Sequence, residues 1–200
     1  MKKTYFIRTF NIIQNLFILF VLEAFLNFLL IFLSIAFENS STTIPLLLQL
    51  KKLIDYLSSC LNIAELITTI LIAVLLAFEV IARIKDDSLL NILKSTWQTF
   101  RLRRFMGQME RTEKTVEIQK VQSVNLIYGN FNKAVHRCVI DVSNNKIIIF
   151  IKVPTSQQAQ KILKEMESQI REEVSSRNPD FYFSAPDRIK NSIWLIGNKR

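Results

Sequence analysis

Glycine is nearly missing from this sequence, with three in 200 residues, beside four prolines, two cysteines and one histidine. So few glycines exclude a Gly-rich phosphate cradle, and neither a Walker loop nor a dinucleotide-binding turn is present. Scarce glycine and proline, with half the residues hydrophobic, exclude collagen-like and disordered chains. Two cysteines, Cys60 and Cys138, are too few for the framework of a disulfide-rich secreted domain. HExxH and GxSxG are absent, and His136 is expected to be a packed strand residue. No catalytic, cofactor-binding or metal-ligating residue is assigned, no cofactor is expected, and the chain reads as non-enzymatic.

Positive charge is missing from two long stretches. Thr9–Phe37 has 29 residues without Lys or Arg, only one acid (Glu23) and seven Phe; Tyr56–Ala82 has no cation in 27 residues. A bilayer core of roughly 30 Å needs about 20 apolar helical residues, so each stretch predicts a transmembrane helix. A signal peptide is the rival for the first, with Lys2-Lys3 as a basic start and Ser34-Ile35-Ala36 as a small-residue site. The run is about twice the length of a signal h-region and contains Glu23, so a retained anchor is the better reading.

The net charge of +9 is uneven: residues 1–82 carry five cations and five anions, leaving the whole excess to residues 83–200. Cations flank the outer ends of both stretches (Lys2, Lys3, Arg8; Arg83, Lys85 onward), whereas the connecting loop has only Lys51 and Lys52. The positive-inside rule then puts both termini on the cytoplasmic side of a bacterial cytoplasmic membrane. In the loop, Glu38–Thr43 is a polar break and Pro45 suits a helix start. Leu46, Leu47, Leu50, Leu53, Ile54 and Leu57 follow at helical spacing. This segment is expected either to lie on the outer surface or to extend the second span.

Acids and amides inside the bilayer are costly and usually face protein or water. Glu23 and Asn27 share a stripe of the first span with Asn11, Asn15 and Ser34, and Glu65 and Glu79 lie about 40° apart on the second. Packing against a second copy or another membrane protein is the expected role. The alternatives are interhelical hydrogen bonding by a protonated Glu23, with Glu65 and Glu79 solvated near the interfaces, and a proton or cation path.

Residues 83–106 follow as a basic amphipathic segment. Leu89, Leu90, Ile92, Leu93, Trp97 and Phe100 make an apolar face, Asn91, Ser95 and Gln98 lie opposite, and Ser88–Phe105 holds four cations and no acid. Lys94, Trp97, Arg101, Arg103 and Arg104 are assigned to the lipid surface, which suits an anionic leaflet. Nucleic acid on Arg101, Arg103 and Arg104 is the less favoured reading.

The expected fold class is a membrane α-helical hairpin followed by a small cytoplasmic α+β domain in the order (α)ββαββ. Residues 1–82 are the hairpin, 83–106 the basic helix, 107–130 a helical linker and 131–200 the domain. A helix is read over 108–127, ended by Gly129–Asn132, then a strand over Lys133–Val142 and a turn at Asn144-Asn145. Ile147–Val153 reads as a central strand stopped by Pro154, and Thr155 with Gln158 as a capping box. Ala159, Ile162, Leu163, Met166, Ile170 and Val174 mark a buried helix face. Strands over Asp180–Ser184 and Ser192–Ile196 complete a sheet with one face covered.

The two spans, RLRRF (Arg101–Phe105) and IIIFIKVPTSQQAQKILKEMESQIREE (Ile147–Glu173) together resemble, in layout, a known arrangement. It is the N-terminal region of FtsK/SpoIIIE-type DNA translocases and Gram-positive conjugative coupling proteins. The ATPase motor of that family is missing, so the resemblance implies no translocase activity and carries over no functional residue. The expected function is a membrane-anchored adaptor whose cytoplasmic domain binds a protein partner in a secretion or conjugative DNA-transfer machinery. A bacteriocin-immunity or entry-exclusion protein, or an ion-conducting subunit, is the alternative.

Overall fold

Long apolar runs without glycine or proline contain nothing that breaks a helix, and they form two long ones. The structure is a computed structural model that describes residues 3–38, 45–108 and 118–200. Tyr5–Glu38 is helix α1 and Pro45–Asp86 is helix α2. Pro45 opens α2, where its missing N–H costs nothing. The amphipathic segment after it is therefore an extension of the second apolar stretch, in one helix of 42 residues. Both helices are long and apolar enough to cross a membrane. Only 6% and 11% of their most apolar windows are buried, which separates them from core helices of the same length.

The described residues divide into two compact units, one of Thr9–Ile81 and one joining the residues up to Arg8 with those from Ala82 onward. The second holds helices α3 (Leu90–Met106) and α4 (Ile118–Val135), strands β1 (Val139–Val142) and β2 (Lys146–Lys152), and helix α5 (Gln157–Arg177). Strands β3 (Phe181–Phe183), β4 (Asp187–Ile189) and β5 (Ser192–Lys199) follow. The sheet is antiparallel, in the order β1-β2-β5-β3, with β4 also on β5. The expected (α)ββαββ thus lacks one strand: the segment after Pro186 makes a short hairpin with β5, closed by a turn in which Lys190 takes φ 54°.

Three further expectations change. Lys133–Val142 is not one strand, because α4 runs through Gly129 to Val135, burying Phe131 and Val135 against the sheet at helical spacing. The helix read over 108–127 has residues 109–117 outside those described, and Asn132, instead of ending a helix, clasps both the N–H and C=O of Gln108 at 2.9 and 2.8 Å. The α5 cap is Ser156, whose hydroxyl accepts from Ala159 N at 3.2 Å, one residue later than the Thr155 capping box. The turn at Asn144-Asn145 forms, but neither residue takes a positive φ.

Alternation along the strands sorts two faces. Ile140 and Val142 of β1, Ile147, Ile149 and Ile151 of β2, and Ile193 and Leu195 of β5 form the main core with α3, α4 and α5. Helix α5 contributes Ala159, Leu163, Ile170 and Val174, with Ile162 and Met166 packed alongside, as its spacing predicts. Gly197 leaves room for the Phe183 ring across the β5–β3 pair: a Cβ there would stand 2.7 Å from Phe183 Cε1.

The opposite face was expected to be open and is not. Val139, Asp141, Phe150 and Trp194 are all buried on it, with Phe150 and Trp194 edge to face at 5.1 Å. Lys3 and Phe6 lie over this face. Lys3 Nζ sits 3.9 Å above the Phe150 ring, and Phe6 and Ile7 are buried. Burial, and then the charges of Lys152 and Arg8, lower the Lys3 ammonium from its ordinary value. Arg83, from the last turn of α2, reaches Asp141 on the same face.

Candidate functional site

An edge strand offers unpaired N–H and C=O groups at every second residue, and β1 is such an edge. Helix α3 seals it with polar side chains. Asn91, Ser95, Thr99 and Arg103 recur every four residues, about 6.0 Å along a helix. They face Asn144, Val142, Ile140 and Cys138, which recur every two residues, about 6.8 Å along a strand. The near match of these repeats lets one helix face follow one strand edge.

Each outward group of the edge has a partner. The Thr99 hydroxyl accepts from Ile140 N at 2.9 Å and donates to Ile140 O at 3.3 Å. Ser95 Oγ accepts from Val142 N at 2.9 Å and donates back to Asn91 O at 2.6 Å. Arg83 Nη1 donates to Val142 O at 2.8 Å, Arg103 Nε to Cys138 O at 2.8 Å, and Asn144 N donates to Asp87 Oδ1 at 3.0 Å. Asn91 Nδ2 ties Asp87 to Asn144. Arg83 is also ion-paired to Asp87 and Asp141, with all three side chains at least nine-tenths covered. Farther along α3, Gln98 donates to Asn178, the C-cap of α5, at 2.9 Å. Burial pushes the Cys138 thiol up to about 12 and lowers the Arg103 guanidinium beside it.

Sealing the edge inverts the helix. The polar side of α3 is buried, and the apolar side faces outward: Leu90 is 73%, Leu93 69% and Trp97 58% exposed. At 100° per residue, Leu90, Leu93, Trp97, Arg101 and Arg104 fall within about 80° of arc. Of the five residues assigned to the lipid surface, Lys94, Trp97, Arg101 and Arg104 share this exposed side, and Arg101 stacks on Trp97 at 4.9 Å. Arg103 is a correction, being turned inward onto β1. The trio Arg101, Arg103 and Arg104 therefore makes no single surface.

Within Thr9–Ile81 the acids and amides form a ladder between α1 and α2. Asn27, buried, accepts from Ser58 Oγ at 2.8 Å and donates to Asn62 Oδ1 at 2.6 Å and Glu65 Oε2 at 3.4 Å. Thr68 donates to Glu23 at 2.9 Å, and Ser34 to Asp55 at 2.6 Å. Glu23, Asn27 and Glu65 are thus brought together by the antiparallel pairing, and their bonds run inside the hairpin. Glu79 is buried nearer the α2 end of the unit.

Four residues of the strand seal were assigned no site role from the sequence: Arg83, which counted there only as a flanking cation, and Asp87, Thr99 and Asp141. A signal existed in the four-residue spacing of Asn91, Ser95, Thr99 and Arg103, a polar stripe too regular for a helix face left in water. His136 lies exposed in the turn after α4 and not in a strand. Cys60 belongs to the hairpin unit and Cys138 to the sheet unit, both as free thiols. Among the described residues no group of three or more His, Cys, Asp or Glu is placed to hold a metal ion. No family model, curated protein or solved structure matches the chain.

Proposed function

We propose that this chain is a two-pass membrane anchor carrying an adaptor domain on the cytoplasmic side. The observation that carries the reading is that the segments leading into and out of the apolar helices belong to the sheet's own compact unit. Lys3, Phe6 and Ile7 lie on or under one sheet face, and Arg83 is paired with Asp141 on it. A domain built from both flanks of a hairpin has both flanks on one side of the bilayer, and the cations there point to the cytoplasm. It acts as an adaptor by presenting protein surface. The groove between α5 and Pro186, lined by Lys164, Glu167, Arg171 and Glu172, carries mixed charge suited to a polar protein partner.

The test is photo-crosslinking in native membranes from probes at Lys164 and Glu172, with mass spectrometry of the products. A defined partner captured from both positions supports the reading. Products that are only random membrane proteins, or a C-terminal reporter found outside the cytoplasm, refute it.

A further inference from the structure

An amphipathic helix normally chooses which side to bury, but α3 has no choice, because Ser95, Thr99 and Arg103 are committed to the backbone of β1. Its apolar side is therefore held outward as a fixed surface. Three features say what covers it. First, α3 starts at Leu90, four residues after α2 ends, so the face begins where an apolar helix leaves off. Second, every charged side chain from Ser88 to Phe105 is a cation, and Lys94, Arg101 and Arg104 stand among the exposed Leu90, Leu93, Trp97 and Phe100. Third, α3 and α5 enclose an open cleft of about 570 Å³ lined by Trp97, Phe100, Phe105, Arg101, Arg104 and Arg177. The one acid in that cleft, Glu173, is already paired with Arg177, which leaves Arg101 and Arg104 as its uncompensated charge.

Cations beside aromatic rings match a phosphate headgroup attached to an acyl chain, and Trp is favoured where one end of a side chain is apolar and the other wet. We propose that the outward face of α3, with its cleft against α5, binds acidic phospholipid. The phosphate meets Arg101 and Arg104, and the chain lies along Trp97, Phe100 and Phe105. The proposal rests on the membrane-anchored reading above and adds a lipid class and the residues that select it.

The full chain, reconstituted in vesicles of phosphatidylcholine alone or mixed equally with phosphatidylglycerol, tests this by quenching of Trp97 with brominated acyl chains. Trp194 is buried, and a W97F chain supplies its background. Strong quenching in the mixed vesicles, falling to the phosphatidylcholine level in R101Q/R104Q, is the expected result. At roughly fivefold per cation near an anionic surface, the double variant should lose about 25-fold of the preference for acidic lipid. Both arginines are exposed, so an unchanged unfolding midpoint verifies that the variant folds. Quenching that ignores lipid charge and the double substitution, or a crosslink from position 97 to another protein, overturns the proposal. Alkaline carbonate extraction of the same vesicles separates the two failures. A retained chain with Trp97 unquenched overturns the lipid face alone, and a released chain overturns the anchored reading together with it.

Discussion

Replacing Thr99 by valine removes one hydroxyl from α3 and leaves two backbone groups of the β1 edge without partners. Thr99 is fully buried, and its Oγ1 serves Ile140 N at 2.9 Å and Ile140 O at 3.3 Å. Valine keeps the shape, so no cavity complicates the reading. A buried N–H stripped of its acceptor costs about 1–3 kcal/mol, and the longer bond to the carbonyl adds less, for a total near 2–4 kcal/mol. In a unit of this size that lowers the unfolding midpoint by roughly 8–15 °C. Thr96→Val is the matched control, because the Thr96 hydroxyl donates only to Ile92 O of its own helix, at 2.8 Å. Its expected cost is within about 0.5 kcal/mol. Thermal unfolding of the full chain in detergent measures both, and hydrogen exchange adds a local readout, with Ile140 losing amide protection in T99V alone. Equal midpoints for T99V and T96V, with Ile140 still protected, would refute the claim that side chains of α3 seal the strand edge.

Removing one partner of a buried ion pair costs about 3–5 kcal/mol, so Arg83→Met should destabilise strongly, with R83M/D141L recovering part of the loss in denaturant titrations. Gly197→Ala places a methyl 2.7 Å from the Phe183 ring and should cost about 1–3 kcal/mol by the same measurement. Asn27→Leu breaks the ladder between α1 and α2 and should weaken the hairpin by about 0.6–1.7 kcal/mol, read by steric trapping in bicelles. Cys138 keeps its proton in the folded state to about pH 12, whereas the unfolded thiol loses it near pH 9.0. Stability should therefore fall between those values by up to about 1.4 kcal/mol per pH unit, and C138A should lack that component of the slope.

Properties that each segment carries by itself were legible in the sequence. An apolar run needs only length and missing charge to become a long helix, and α1 and α2 follow from that. The buried face of α5 follows from its 3.6-residue period, and β2 from an apolar run that Pro154 stops. The ladder between α1 and α2 was half legible: Glu23, Asn27 and Glu65 stood out as polar residues in long apolar runs, but only the antiparallel pairing names Thr68, Asn62 and Ser58 as their partners.

Tertiary structure decided which way α3 turns. A helical periodicity separates two faces but does not say what each one meets, and polar is ordinarily taken to mean water. Here the polar face meets an unpaired strand edge, whose N–H and C=O groups need hydroxyl, amide and guanidinium partners more than they need apolar cover. The same commitment turns Arg103 inward, holds Trp97 outward and makes Arg83 part of the sheet unit. Composition alone determined that two stretches of this protein suit a bilayer. Because hydrogen-bond demand at a strand edge arises only once strands have paired, only the folded chain settled which residues face out.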